Sequence, residues 1–259
     1  MSERKERELF FKGKVMALSC SKNYFHWLLK MLPRLELMER SAGSLDEIEA
    51  FFINKPTWQQ QEVYQRLKIW DRCVVIDRKS FAVCRLLGAP TIAHDAPEWA
   101  CRFVRRKLGP AETPAGKRRI YVVRGKTAHR ELVNEQEVTM LLRGYGFEIV
   151  DCSVLTVEEQ AGVFAESEIV VGVHGAAFSN LVFCNPGATV LEVFGTQENQ
   201  KGYWVMSHRM KLQYYYLMAQ SVESGGQGNM ANIVIELKVL ARNIEVILEG
   251  KAGVVAKAG

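Results

Sequence analysis

The sequence predicts an α/β protein made of two domains. Segments typical of strands and of amphipathic helices alternate along the 259 residues. Residues 169–173 (IVVGV) form a nearly continuous β-branched run, which is typical of a parallel strand covered on both faces. Residues 109–117 (GPAETPAGK) hold glycine, two prolines and little that is apolar, so they are the best candidate for a linker between the domains.

The first half alternates between short apolar runs and helical patterns. Apolar side chains recur at helical spacing over residues 23–40, where Pro33 predicts a kink or the start of a second helix. The other elements predicted before the linker are strands at 14–19, 48–53 and 72–76 and helices at 58–70 and 97–108.

The second half repeats this alternation more clearly. Thr156 and Glu159 have the spacing of a capping box at the start of a helix. A glycine-rich segment, 224–228, precedes the last helical pattern. The predicted elements are strands at 120–123, 147–150, 169–173, 190–194 and 214–217 and helices at 131–143, 156–166, 200–210 and 233–249.

The net charge of +5 suits a protein that handles anions or touches an acidic membrane surface. One short run at 102–107 concentrates basic residues, and it predicts a solvated helix face, with a membrane surface as the functional alternative. Because no broad basic patch is evident, nucleic-acid binding is the least favoured partner class.

The sequence favours a reducing, intracellular setting. It has no apolar stretch of about 20 residues and no apolar core after its charged start, so neither a membrane span nor a secretory signal is expected. Its six cysteines include no C-x-x-C pair, which favours reduced structural thiols. We therefore expect a cytoplasmic protein, with peripheral contact at the inner face of the membrane as one possibility.

The segment 170–194 is the strongest candidate for a ligand site. Its buried strand ends at His174 and Gly175, and the small residue Ala176 begins a helix that includes Asn180. A helix start at the carboxyl end of a parallel strand offers backbone N–H groups to a phosphate, and a glycine lets the phosphate approach closely. The alternative is a plain strand-to-helix turn with a structural histidine, and these residues alone do not decide between the two.

Two charged residues fit the same site. Glu192 lies in an apolar strand, where a carboxylate needs a partner, and a ribose diol would be one. Arg124 ends the strand IYVVR, and its guanidinium would suit a diphosphate. Arg130 and Asn134, which open the next helix, could join them. The alternatives are a solvent-facing edge-strand glutamate and a surface arginine.

His26, at the start of the first long helix, is the candidate general base. A histidine titrates near neutrality and can take a proton from a hydroxyl group. The alternative is a core histidine that is hydrogen-bonded to the backbone.

These segments resemble glycosyltransferase family 61. The resemblance rests on NYFHWLLKMLPRL at 23–35, IYVVRGKTAHRELVNEQEV at 120–138 and residues 144–194, which include VVGVHGAAFSNLVFCNPGATVLEVF. It implies a GT-B-like architecture of two Rossmann-like domains facing across a cleft. It also implies inverting transfer from a nucleotide sugar, commonly a UDP-sugar, to a hydroxyl group.

The resemblance assigns roles to the candidate residues. Arg124 and the His174–Gly175 turn match donor-diphosphate positions, Glu192 matches a ribose position, and His26 matches the histidine of the family's His-Trp segment. No D-x-D metal motif occurs, so a metal-independent reaction without a cofactor is expected.

We therefore expect a glycosyltransferase of surface or capsular polysaccharide synthesis, acting on a glycan or lipid-linked acceptor. The predicted domains are an acceptor-side domain at 1–112, a nucleotide-sugar-binding domain at 113–222 and a C-terminal helix at 223–259 that could pack back across both. Two alternatives stay open: a nucleotide-sugar epimerase, and a non-catalytic partner subunit that binds a nucleotide or a glycan.

Overall fold

The structure, a computed structural model, describes residues 7–18, 22–76, 80–84, 86–88, 92, 96–111, 116–124, 131–195, 201–222 and 231–250. The chain divides into two compact units, Met1–Leu108 and Gly109–Gly259. This division lies at the start of the predicted linker, whereas the boundary predicted between 112 and 113 lies outside the described residues. Each unit contains a parallel sheet and helices, which confirms the α/β class.

The first unit is built on a parallel sheet with a Rossmann-like strand order. Its strands are β1 (Arg7–Phe10), β2 (Lys14–Ala17), β3 (Ile48–Ile53), β4 (Cys73–Val75), β5 (Ser80–Val83) and β6 (Leu86–Gly88). Four of them form a sheet in the order β4-β3-β2-β6, and β1 pairs with β5 in a separate parallel ribbon. The chain therefore reverses its winding direction between β2 and β6. Three short strands, β1, β5 and β6, lie outside the predicted strand segments.

The first long helix is interrupted near Pro33. It consists of α1 (Tyr24–His26), a π-helical turn (Trp27–Met31) and α2 (Arg34–Ala42). A proline has no backbone N–H and crowds the carbonyl group four residues earlier, so a regular α-helix cannot continue through it. The π-helical turn, which is wider than an α-helical turn, accommodates the proline. In this turn the Leu32 N–H donates to the Trp27 carbonyl at 3.0 Å. The described part of this unit also contains the α-helices α3 (Trp58–Arg66) and α4 (Glu98–Leu108) and two short 3₁₀ helices, Leu45–Glu47 and Trp70–Arg72.

The second unit contains a six-stranded sheet. Its strands are β7 (Arg118–Val122), β8 (Glu148–Val150), β9 (Ser167–Val173), β10 (Thr189–Gly195), β11 (Gln213–Val222) and β12 (Asn232–Val234). The order is β12-β11-β10-β9-β7-β8, and every neighbouring pair is parallel except β11 and β12. Without the edge strand β12, this is the doubly wound order 2-1-3-4-5.

The helices of the second unit are α5 (Glu135–Gly144), α6 (Val157–Ala165), α7 (Gly202–Arg209), α8 (Leu237–Leu248) and a 3₁₀ helix (Ala176–Phe183). The predicted capping box of α6 is present, since the Glu159 N–H donates to Thr156 Oγ1 at 3.1 Å and the Thr156 N–H donates to Glu159 Oε2 at 2.8 Å. The helix predicted from residue 233 is wrong at its start, because residues 232–234 form β12. Both β12 and α8 belong to this unit, which therefore extends beyond the predicted end at 222.

The two faces of the second sheet differ in chemistry. On one face, Val171, Val173, Leu191 and Val193 form the main apolar core with side chains of α5 and α8. Because side chains alternate along a strand, His174, Glu192 and Tyr214 point to the other face. This second face carries the polar groups that the sequence singles out.

Two turns of the second unit contain glycines in the left-handed region, which few other residues adopt. Gly146 (φ +79°) precedes β8, and Gly187 (φ +90°) precedes β10. Since both precede parallel strands, they lie at the amino edge of the sheet, opposite the edge where the strands end.

Candidate functional site

The second sheet has its topological switch point between β7 and β9. The chain proceeds from β7 to β8 on one side and from β9 to β10 and β11 on the other. Open parallel α/β sheets bind ligands in the crevice at the carboxyl ends of the two strands at such a point. Arg124 follows the end of β7 by two residues, and His174 directly follows β9. The structure thus brings these two predicted phosphate-binding residues together at this crevice.

Arg124 is held at both its backbone and its side chain. Its backbone N–H donates to Glu135 Oε1 at 2.9 Å, at the first residue of α5. Its guanidinium Nη1 donates to the backbone carbonyl of His174. The arginine therefore links the ends of β7 and β9 and places its positive charge beside the His174–Gly175 turn, where a guanidinium can form charge-assisted hydrogen bonds to a phosphate.

The His174 ring is packed in a defined orientation. Its Nδ1 atom lies 2.5 Å from Glu192 Oε1. One side of the ring stacks on Phe194, with 5.2 Å between centroids, and Tyr203 contacts the ring at the same centroid distance. Only 5% of the residue is exposed. The imidazole is therefore fixed by a carboxylate and by two aromatic rings.

Glu192 is completely buried and has its partners within the protein. Oε1 contacts His174, and Oε2 accepts a hydrogen bond from the Tyr214 hydroxyl at 2.6 Å. Burial, together with the charge of Glu192, raises the pKa of Tyr214 far above its usual value, so the phenol stays protonated and donates. The sequence correctly indicates that this carboxylate needs a partner. The ribose contact that the sequence predicts for Glu192 stays a prediction.

The turn after β9 leads into the 3₁₀ helix without a bulky side chain. Gly175 is extended (φ −177°), and its carbonyl accepts from the Phe178 N–H at 3.0 Å. The first N–H groups of a helix, here those of Ala176 and Ala177, have no intrahelical partner and carry partial positive charge. A Cβ atom at Gly175 would collide with Arg124 Nη1. The missing side chain is therefore what lets Arg124 reach the turn.

The two asparagines predicted to contact the donor also have hydrogen-bond partners within the protein. Asn180 is fully buried, and its Nδ2 donates to Gln160 Oε1 at 2.7 Å, which fixes the 3₁₀ helix to α6. Asn134 binds the backbone of Ile235 twice, donating to its carbonyl at 2.8 Å and accepting from its N–H at 3.1 Å. This geometry favours a role in holding elements together for both amides.

His26 lies in the first unit, at the last residue of α1. This helix follows β2, one of the two strands at the switch point of the first sheet. The His26 backbone N–H donates to Asn23 Oδ1 at 3.3 Å, and the His26 ring packs edge-on against Phe25, with 5.5 Å between centroids. The side chain is half-buried. Arg130, also predicted for the site, lies outside the described residues.

The described ranges show neither a metal-binding cluster nor a membrane-spanning helix. No group of three histidine, cysteine, aspartate or glutamate side chains there is arranged to hold a metal ion. No helix in the same ranges is long and apolar enough to cross a membrane. The five cysteines that the structure describes carry free thiols, and burial raises the pKa of the Cys152 thiol to about 12.

The family model for glycosyltransferase 61 matches residues 24–191, which is more than half of the chain. The chain belongs to glycosyltransferase family 61. The matched segment includes His26 in the first unit and both Arg124 and His174 in the second. The protein is therefore a glycosyltransferase, and its substrates are those of this enzyme class, a nucleotide sugar and an acceptor. No curated protein matches the chain significantly.

Two solved structures are similar to this glycosyltransferase. One is the heptosyltransferase WaaC of E. coli with ADP, at a TM-score of 0.47 and 12% identity, covering 92% of this chain and 99% of that one. The other is the bacterial iron-containing dodecameric glycosyltransferase TibC of enterotoxigenic E. coli, at a TM-score of 0.36 and 8% identity, covering 74% of this chain and 60% of that one.

Several residues of the candidate site are not evident from the sequence. Tyr214 is one of three consecutive tyrosines in β11, and only the alternation of faces distinguishes it. Glu135 looks like an ordinary acidic residue in the first turn of a helix, but it also anchors the Arg124 backbone. Phe194 and Tyr203 read as core aromatic residues, although they orient His174.

Replacing Gly175 of the glycosyltransferase by alanine is expected to weaken nucleotide binding while the fold is retained. The extended backbone tolerates any residue, but the added Cβ would push the Arg124 guanidinium away from the turn. Calorimetric titration with UDP measures the effect. Gly162→Ala is the matched control: it lies within α6 with open space around it, and we expect it to raise the free energy of unfolding by about 0.5–1 kcal/mol. Equal UDP affinity in the two variants would contradict the role of Gly175.

Proposed function

We propose that this glycosyltransferase transfers a sugar, with inversion and without a metal ion, from a UDP-sugar to a hydroxyl group of a glycan or lipid-linked acceptor. The observation that carries the proposal is the pairing of Arg124 with the His174–Gly175 turn at the switch point of the second sheet. Parallel α/β sheets bind phosphate-containing ligands at this position. The diphosphate of a nucleotide sugar is the ligand of this kind that a glycosyltransferase requires.

The proposed site stabilises the departing diphosphate with protein groups. Negative charge develops on the diphosphate as its bond to the sugar breaks. The Arg124 guanidinium, the His174 imidazole and the N–H groups at the start of the 3₁₀ helix are the groups that we assign to that charge. Preorganised donors of this type lower the barrier because they need no reorganisation when the charge appears.

Inversion follows from a single in-line displacement. The acceptor oxygen attacks the anomeric carbon, and its bond to that carbon forms as the bond to the diphosphate oxygen breaks. The electron pair of the broken bond stays with the diphosphate. We assign the removal of the acceptor proton to His26, a half-buried histidine in the helix that follows β2.

The biological role that we propose is surface or capsular polysaccharide synthesis at the cytoplasmic face of a membrane. Helix α4 supports a peripheral contact. It buries Phe103 and Val104, and it ends in the basic residues Arg105, Arg106 and Lys107. A basic helix face attracts anionic lipid head groups.

The test is titration of the protein with UDP, GDP, CMP, dTDP and their sugar conjugates in the presence of EDTA. We expect UDP and at least one UDP-sugar to bind under these conditions. Failure of every nucleotide to bind would contradict the proposal. Product analysis separates the alternatives: conversion of the donor without acceptor would indicate an epimerase, and binding without turnover on a panel of acceptors would indicate a non-catalytic subunit.

A further inference from the structure

Four polar residues are linked by contacts across four neighbouring strands, three through their side chains and the fourth through a backbone carbonyl. The Tyr214 hydroxyl of β11 donates to Glu192 of β10 at 2.6 Å, and Glu192 contacts His174 Nδ1, at the end of β9, at 2.5 Å. The His174 carbonyl then accepts from the Arg124 guanidinium beyond β7. We call these residues the relay. Two of its members, Arg124 and His174, are those assigned to the donor diphosphate.

The chemistry of the relay fixes the direction of its hydrogen bonds. A carboxylate only accepts, so both oxygens of buried Glu192 require donors. Tyr214 supplies one, because burial and the Glu192 charge raise its pKa and keep it protonated. With Glu192 ionised, His174 supplies the other by donating from Nδ1. A hydrogen bond at one ring nitrogen determines the protonation of the other nitrogen and the orientation of the ring.

We propose that Glu192 and Tyr214 are positioning residues for the donor diphosphate: they hold His174 with its proton on Nδ1, so that Nε2 and the Arg124 guanidinium are presented to the diphosphate together. This inference rests on the proposed function, and it gives Glu192 a role that differs from ribose binding. Glu192 and Tyr214 do not touch the substrate, and they act through His174.

The buried carboxylate also supplies a counter-charge when the diphosphate departs. When the ring carries a proton on each nitrogen, Nδ1 donates to Glu192 and Nε2 donates to the oxygen that receives the electron pair of the broken sugar–oxygen bond. A ring with the Nδ1 proton alone would instead turn an acceptor lone pair towards that oxygen. His174 needs to transfer no proton in this step, and the acceptor proton goes to the base of the first unit. The displacement therefore balances without a further reactant.

The test compares Glu192→Gln and Tyr214→Phe with the wild type. The glutamine has the same size, but its amide can both donate and accept a hydrogen bond. It therefore does not determine which nitrogen of His174 carries the proton. Tyr145→Phe is the matched control, because it removes a 2.7 Å hydrogen bond from a tyrosine to Glu245 at the opposite edge of the same sheet. We expect kcat to fall about 10²-fold in Glu192→Gln, less in Tyr214→Phe, and not at all in Tyr145→Phe.

Two measurements distinguish positioning from ribose binding and from a general loss of structure. The first is the ratio of the affinities for UDP and 2′,3′-dideoxy-UDP, which should be the same in the wild type and in Glu192→Gln. The second is ¹⁵N NMR of labelled histidines, which should place the His174 proton on Nδ1 in the wild type and change in Glu192→Gln.

Three results would overturn the inference. The first is a ratio of UDP to 2′,3′-dideoxy-UDP affinity that is lower in Glu192→Gln than in the wild type. The second is a wild-type His174 with its proton on Nε2 alone, and the third is an unchanged kcat in both Glu192→Gln and Tyr214→Phe. Failure of the wild type to bind any nucleotide would instead overturn the proposed function. The NMR measurement does not need a ligand, so it tests the relay in that case as well.

Discussion

Replacing His26 by alanine is expected to lower kcat for sugar transfer by about 10² to 10⁴-fold while the Kd for UDP stays unchanged. The reason is that His26, in the first unit, is assigned to the acceptor proton, whereas the proposed diphosphate groups all lie in the second unit. Steady-state kinetics with a UDP-sugar and calorimetry with UDP measure the two quantities separately.

His208→Ala is the control for the His26 variant, since it removes an exposed histidine from α7 that has no assigned role. Turnover of this variant should equal that of the wild type. If His26→Ala also turns over at the wild-type rate, His26 is not the base. If it loses UDP affinity as well as turnover, its role is not confined to the acceptor.

Replacing Arg124 by alanine is expected to lower kcat/KM by about 10² to 10³-fold, because the variant loses a charge that stabilises the departing diphosphate. UDP affinity should fall in parallel. Arg124→Lys should recover only part of both quantities, since an ammonium group keeps the charge but lacks the planar fork that binds two oxygens at once.

Arg119→Ala is the matched control for Arg124, because it removes an arginine from the same strand at its amino end, where Arg119 forms a 2.9 Å ion pair with Glu168. We expect wild-type UDP affinity in this variant. Wild-type affinity in Arg124→Ala would remove Arg124 from the donor site and, with it, the main support for the location of that site.

The sequence predicts well those strands and helices whose pattern of apolar residues reflects how they are buried in the fold. The run 169–173 is almost wholly apolar because β9 lies between two strands and is covered on both faces. The short strands β1 and β5 carry no such signal. They pair with each other across about 70 residues of chain, and only this long-range contact makes them strands. For the same reason β12, which contains Ile233, reads as the start of a helix until its pairing with β11 is known.

At the site, the sequence indicates which side chains are unusual but not what they contact. Glu192 stands out among apolar neighbours, yet its partners His174 and Tyr214 lie 18 and 22 residues away along the chain. Asn134 and Asn180 occupy plausible ligand positions, but backbone and side-chain groups distant in sequence use their amides. The sequence does predict that Arg124 and His174 follow the ends of strands, because the end of a strand is visible in the local pattern. Both strands are parallel, so the two residues lie at the same edge of the sheet.

The polarity of the second sheet also indicates where the protein can be attached to a surface or a label. The glycine turns at 146 and 187 lie at the amino edge, and the space around both positions is open. A linker inserted there would enter no strand and touch no member of the relay. Anchoring the molecule through that edge on a biosensor chip therefore leaves the groups assigned to the nucleotide chemically unmodified.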